Sequence, residues 1–412
     1  MSITRRAFMK GGAMAIVGTA AIPSFLTRAA WGAAGAGSSN KRLVVIFQRG
    51  AADGLNIVVP HAEPSYYAMR PSINIPRQQV IDLNGFFGLH PAMTPLKPLW
   101  DQRHLAIVHA AGSPDATRSH FDAQDYMESG TPGVKDTSDG WLNRIVQSEP
   151  AGSTPFRAIA LGTSLPRILS GKASAVAVGN INGFGIAGGN PAAAPLGSTF
   201  EAMYAQSVDS ILRGTGTETF EAVKMLKSSD PQHYTPAPGA KYPQGRFGNA
   251  LRQTAQLIKS NLGVQIAFTD IGGWDHHVNE GAVDGQLANV LRDFAQSIAA
   301  FWTDLGPLTE ETVIVTMSEF GRTARENGDR GTDHGHANVM FILGGPVCGG
   351  KVYGTWPGLD PSQLNEGRDL ALTTDFRRVL GEAVSRHLGS SHLNTVFPGF
   401  DNQPVRFVSY LG

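Results

Sequence analysis

The chain has 412 residues, with 34 Lys and Arg against 34 Asp and Glu, so it carries no net charge and lacks the electrostatic footprint of a nucleic-acid binder. Hydrophobic residues make up 42% and charged residues 17%, which argues for a large core and against wholesale disorder. The 49 Gly and 25 Pro follow no collagen-like period, and the single cysteine, Cys348, excludes an internal disulfide and a thiolate metal cluster. Any metal must therefore use His, carboxylate or hydroxyl ligands.

Residues 1–36 contain Arg5, Arg6, Lys10 and Arg28, no acid, and an Ala/Gly-rich apolar stretch after Lys10. This is the composition of an export leader, not of folded structure. Thr4-Arg5-Arg6-Ala7-Phe8-Met9-Lys10 resembles the twin-arginine signal, which implies passage through the twin-arginine translocase in the folded state and a periplasmic or secreted location. Pro23, Ser24, Thr27 and Arg28 interrupt the apolar stretch, so no stable membrane span is expected. Cleavage is expected between Ala34 and Ala36, leaving 30 basic against 34 acidic residues, a net charge of −4.

Beyond the leader, apolar runs at 43–47, 105–110, 264–269, 312–317 and 339–343 read as buried parallel strands. Leu287, Val290, Leu291, Phe294, Ile298, Phe301, Trp302 and Leu305 recur with helical period, as do Phe376, Val379, Leu380, Ala383, Val384 and Leu388 behind an Asp375 cap. The alternation predicts a three-layer α/β/α sandwich, one domain over 43–412. Residues 183–245 turn rich in Gly, Pro and Ala around one expected helix at 200–212, and read as an insertion or cap.

Ligands of open parallel sheets bind beyond the carboxyl ends of the strands. The segments there are polar: Gln48 to Gly54, then Gly112 to Asp122, Asp270 to His277, and Ser318 to Arg322, with Thr332-Asp333-His334-Gly335-His336 just before the fifth run. His276-His277 and His334-Gly335-His336, beside Asp275 and Asp333, suit Zn²⁺ or Mn²⁺, although Asp-His-His also fits a capped loop with exposed imidazoles. Ser119 is the candidate nucleophile, and Ser119-His120-Phe121-Asp122 equally fits a helix N-cap. Arg49, Arg118 and Arg322 could clamp an anionic ester, or form ordinary surface salt bridges.

Arg49-Gly50-Ala51-Ala52-Asp53-Gly54-Leu55-Asn56, Arg118-Ser119-His120-Phe121-Asp122, Gly272-Gly273-Trp274-Asp275-His276-His277, Met317-Ser318-Glu319-Phe320-Gly321-Arg322 and Thr332-Asp333-His334 together resemble a bacterial family of twin-arginine-exported proteins, domain of unknown function 1501. That family is similar to the alkaline phosphatase and sulfatase superfamily, which implies a metal site at the strand ends around a hydroxyl or modified cysteine nucleophile. On this resemblance Asp53 matches a first-strand carboxylate, Ser119 the nucleophile, Asp275 and His277 ligands of one metal, and His334 a later histidine ligand. Glu319 stands where the superfamily has Asp and Phe320 where it has His, so by this resemblance one ligand is missing unless Asp333, His336 or His120 substitutes. Cys348 lacks the sulfatase Cys-x-Pro-x-Arg context, which excludes formylglycine chemistry by this resemblance. The expected activity is metal-dependent hydrolysis of phosphate or sulfate esters; the alternative is a non-catalytic exported binding protein that keeps the fold with an incomplete metal site.

Overall fold

A computed structural model describes Met14–Ile16 and residues 40–148, 154–181, 225–226 and 233–401. The twin arginines, the cleavage site and the helix expected at 200–212 lie outside the described residues.

The strands in chain order are β1 (Met14–Ile16), β2 (Arg42–Gln48), β3 (Val58–Val59), β4 (Ile81–Asp82), β5 (Gly88–Leu89), β6 (Leu105–Gly112), β7 (Ala158–Leu161), β8 (Val176–Val178), β9 (Ile266–Ile271), β10 (Thr312–Ser318), β11 (Asn338–Gly344), β12 (Lys351–Tyr353) and β13 (Thr374–Asp375). Ten of them form one sheet in the order β1-β8-β7-β9-β2-β10-β11-β6-β12, with β13 also on β6, while β3, β5 and β4 make a small separate sheet. Strands β2, β6, β9 and β10 run parallel, as their runs rich in Val, Ile and Leu predict.

The fifth apolar run departs from expectation. Strand β11 is antiparallel to both its neighbours, β10 and β6. The reason is local: the chain between β10 and β11 contains no crossover helix, which a parallel return would need, and it doubles back at the same edge of the sheet. The amino end of β11 thus lies beside the carboxyl ends of β2, β6, β9 and β10. Residues 332–336, which precede a strand, thereby join residues that follow strands.

Successive side chains of each strand point to opposite faces, and each face is covered by helices. Val44, Ile46, Ile107, Ala267, Ile314 and Phe341 pack towards the helices Arg246–Lys259 and Gln286–Leu305. Leu43, Val45, Val108, Phe268, Val315 and Ile342 pack towards Trp141–Ser148 and Phe376–Glu382. The protein is therefore a three-layer α/β/α sandwich. Within Gln286–Leu305 the periodic residues Leu287, Leu291, Phe294, Ile298, Phe301 and Leu305 are all buried, each burial stabilising the fold by about 1.5–3 kcal/mol. Asp375 caps its helix as expected, accepting from the Arg377 N–H at 2.9 Å. No described helix is long and apolar enough to cross a membrane.

Candidate metal centre

The three central strands end level. Gln48 pairs with Ile271 on one side and with Ser318 on the other, so the loops that follow β2, β9 and β10 leave the sheet side by side. Two glycines let these loops touch. A β-carbon on Gly50 (φ +119°) would stand 2.9 Å from the Asp275 backbone nitrogen, and one on Gly335 would stand 2.3 Å from the Arg322 carbonyl. The second contact is a one-residue antiparallel bridge, Arg322 to His334, flanked by Gly335 N–H to Gly321 O at 2.8 Å and Thr323 N–H to Asp333 O at 2.9 Å. His120 enters from the helix His120–Ser129, which begins just past β6.

Four side chains converge there. His120 Nε2 and His277 Nε2 each lie 3.0 Å from His334 Nε2. Asp275 spans the group, with Oδ1 at 3.1 Å from His277 Nε2 and 3.5 Å from His334 Nε2, and Oδ2 at 3.5 Å from His120 Nε2. The outer nitrogen of every ring faces an acceptor: His120 Nδ1 meets Glu319 Oε1 at 2.8 Å, His277 Nδ1 meets Asp333 Oδ1 at 3.1 Å, and His334 Nδ1 meets the Arg118 carbonyl at 2.9 Å. Those partners place the proton on Nδ1 in each ring, so in the neutral imidazoles all three Nε2 lone pairs point inward. Lone pairs 3.0 Å apart repel unless a cation stands between them.

The donor set fits a divalent metal. His334 Nε2 stands 3.0 Å from the other two Nε2 atoms and Asp275 offers an oxygen within 3.5 Å of each ring, and the ligand atoms of His120, Asp275 and His334 all lie within 4.8 Å of one another, close enough to share one ion. Three imidazoles and a carboxylate suit Zn²⁺ or Mn²⁺. Imidazoles backed by carboxylates are the usual arrangement behind metal ligands.

Electrostatics hold the surrounding carboxylates ionised. Burial alone would raise the Glu319 pKa, but hydrogen bonds from His120, Gln124 and the Gly50 N–H keep it below the ordinary value. The same contest ends the same way for Asp275, where Arg322 wins over burial, and for Asp333, where Asn327 and His277 do. His334 is shifted down, first by burial and then by the neighbouring His120 and Arg322, against the hydrogen bond to the Arg118 carbonyl. A lowered pKa keeps its Nε2 lone pair free.

Not every expected residue stands in this group. Glu319 and Asp333 lie behind His120 and His277 as their acceptors and not among the converging atoms. Asp53 is buried elsewhere, forked by Arg70 and facing Glu280, whose carboxyl burial and the Asp53 charge push well upward. Ser119 is the N-cap of the His120–Ser129 helix, accepting from the Asp122 N–H at 3.5 Å. Arg49 binds Asp270, Glu128 and Gln124, and Arg118 binds Glu366 and Asp369. Arg322 gives hydrogen bonds to the carbonyls of Gly50, Ala51, Trp274 and Thr332 as well as to Asp275.

Of the three candidates for the missing ligand, His120 is the one that joins the converging group. His336 instead meets the Ser113 carbonyl at 3.0 Å, and Asp333 stays behind His277. The signal was its position one residue after Ser119 at the start of a helix. Phe320 walls the centre, its ring 4.9 Å from His120 and 5.1 Å from His334. Cys348 follows β11 and so lies at the opposite edge of the sheet.

Fold and site define a three-layer α/β protein with a histidine–carboxylate centre at the carboxyl edge of its sheet. The chain belongs to the family described as Protein of unknown function (DUF1501), whose model matches residues 40–395. No curated protein matches it. Among solved structures it is similar to the C-terminal periplasmic domain of EcEptC from Escherichia coli in complex with Zn, at 9% identity and TM-score 0.35, covering 75% of this chain and 73% of that one. It is also similar to the lipoteichoic acid synthase LtaP from Listeria monocytogenes, at 9% identity and TM-score 0.33, covering 74% and 65% respectively. A third is the PsFucS1 sulfatase from Pseudoalteromonas sp., at 12% identity and TM-score 0.40, covering 99% and 79%.

Proposed function

We propose that this chain is an exported, metal-dependent hydrolase of phosphate or sulfate esters, with His120, Asp275, His277 and His334 holding a Zn²⁺ or Mn²⁺ ion and Ser119 as nucleophile. One observation carries the reading: three imidazole Nε2 atoms and a carboxylate meet at the strand ends with every Nδ1 already bonded outward. The motif resemblance to the alkaline phosphatase and sulfatase superfamily supports the ester class, and Arg5-Arg6 supports export through the twin-arginine translocase to the periplasm or beyond.

Ser119 precedes the ligand His120 and opens a ten-residue helix, whose first N–H groups favour an anion. A bound ion would supply positive charge that lowers the pKa of a nearby hydroxyl and offsets charge on an ester oxygen. Glu319 and Asp333 orient the His120 and His277 imidazoles, and Phe320 shields the rings of His120 and His334 from water. Of the three candidate anion-binding arginines, Arg118 is the most exposed, at 32% of its side chain, and the best placed to exchange its carboxylate partners for a substrate anion.

The test is elemental analysis of metal-supplemented protein, followed by a screen of aryl phosphates, phosphodiesters and sulfates with wild type and Ser119→Ala. Turnover that the substitution abolishes is the expected result. Equal turnover in both proteins removes Ser119, and no more than a trace of metal defeats the centre. A second reading, a metal-holding binding protein without turnover, is favoured by the engagement of Arg49, Arg118 and Arg322 with protein acceptors. Full metal occupancy with no activity across the screen would decide for it.

A further inference from the structure

We infer that the centre takes a single divalent ion and that Arg322 stands in as a fixed second cation, acting as the positioning residue for Asp275. The inference rests on the metal reading above and adds its stoichiometry. A second ion of a paired site would stand about 3.5–4 Å from the first. Asp275 is the carboxylate among the converging donors, and its Oδ1 already accepts from Arg322 Nη2. Arg322 Nη1 stands 3.5 Å from His277 Nε2, so the guanidinium borders the centre on the Asp275–His277 side.

Arg322 cannot swing away to make room. Its side chain has no solvent exposure, and its donors reach Ala51 O at 2.7 Å, Gly50 O at 2.8 Å, Thr332 O at 3.1 Å and Trp274 O at 3.2 Å. Those four carbonyls belong to the loops after β2 and β9 and the segment before β11. Displacing the guanidinium would take the donor from the carbonyls of Gly50, Ala51 and Thr332, while Trp274 O would keep the His276 N–H at 3.0 Å. The fork also fixes which way Asp275 turns, because a planar guanidinium bonded on several sides offers the carboxylate one orientation. Among the described residues no other group of three or more His, Cys, Asp and Glu donors comes together, so a remote second ion has no prepared place either.

The test strips the full chain with a chelator, reloads it with Mn²⁺, and combines elemental analysis with electron paramagnetic resonance. One ion per chain and an uncoupled hyperfine sextet at saturation are expected. Two ions with an exchange-coupled spectrum would overturn the inference while leaving the metal reading intact; no tight binding at all would sink both. Arg322→Lys keeps a charge but loses the fork. It should retain the stoichiometry, alter the Mn²⁺ line shape, and weaken binding by about tenfold, the lower end for an outer partner of a metal ligand. Unchanged affinity and line shape in a folded Arg322→Lys protein would overturn the positioning role. Should that variant not fold, the wild-type stoichiometry still decides the single-ion claim.

Discussion

Replacing Glu319 by Gln isolates the charge behind His120. Glu319 is fully buried, and its Oε1 accepts from His120 Nδ1 at 2.8 Å, Gln124 Nε2 at 2.9 Å and the Gly50 N–H at 2.9 Å. Glutamine keeps the shape and one oxygen for those three donors. Its amide can face Ser318 Oγ, which lies 3.2 Å from Oε2 in the wild type. The fold should therefore survive, while the hydrogen bond to His120 loses its ionic character, which roughly halves its strength. Affinity for Zn²⁺ should weaken about tenfold, near 1.4 kcal/mol. Glu319→Ala goes further, leaving three half-buried donors without this acceptor, and should weaken Zn²⁺ by up to about 100-fold and the fold by about 1–3 kcal/mol. Competition against a chromophoric chelator at neutral pH measures the first quantity, and thermal unfolding of the stripped protein the second. His336→Ala serves as control, since its ring meets the Ser113 carbonyl outside the converging group, and it should change affinity less than about twofold. Wild-type affinity in both Glu319 variants would refute the assignment of His120 as a ligand.

Changing both Arg5 and Arg6 to Lys should leave precursor in the cytoplasm; normal export on fractionation would dismiss the twin-arginine reading. Ser119→Ala should abolish ester turnover while lowering stability by about 0.5 kcal/mol, the bottom of the range for a lost cap, because its bond to the Asp122 N–H is long at 3.5 Å. A larger loss in thermal unfolding would mean that Ser119 is chiefly structural. Burial holds the His109 and His387 imidazoles down to about 4, from an ordinary 6.5. Both are neutral in the fold, so the unfolded chain binds more protons between these values, and stability, complete above pH 6.5, should fall as the pH drops towards 4. His387→Gln should reduce that slope by about 1.4 kcal/mol per pH unit, one proton's worth, and parallel stability profiles would refute it. Arg70→Met should destabilise by about 3–5 kcal/mol in denaturant unfolding, because it strands the buried Asp53 carboxylate; a loss under about 1 kcal/mol would show that Asp53 had simply become neutral.

What the sequence discloses and what it conceals divide along a physical line. Runs rich in Val, Ile and Leu identified β2, β6, β9, β10 and β11 because burial on both faces favours apolar residues at successive positions. The direction of β11 was not legible, since an apolar run reads alike both ways and direction depends on how the connection folds. The reversal nonetheless leaves Asp333 and His334 beside the loops that follow β2, β9 and β10, because the amino end of an antiparallel strand lies at the same edge as the carboxyl ends of its neighbours. Residue type located the centre but could not rank its members. A carboxylate beside histidines is equally suited to bind an ion or to accept from an imidazole Nδ1, and only the packed loops distinguish Glu319 and Asp333, which accept, from Asp275, which faces inward. The arginines were harder still. Arg118 meets Asp369 across 251 residues of chain and Arg322 meets Ala51 across 271, so the acceptors that occupy them lie far beyond any local motif. An arginine near such a loop therefore says little until its partners are known: the same guanidinium that would clamp an anion when free holds a carboxylate in place when buried among carbonyls, as Arg322 does for Asp275.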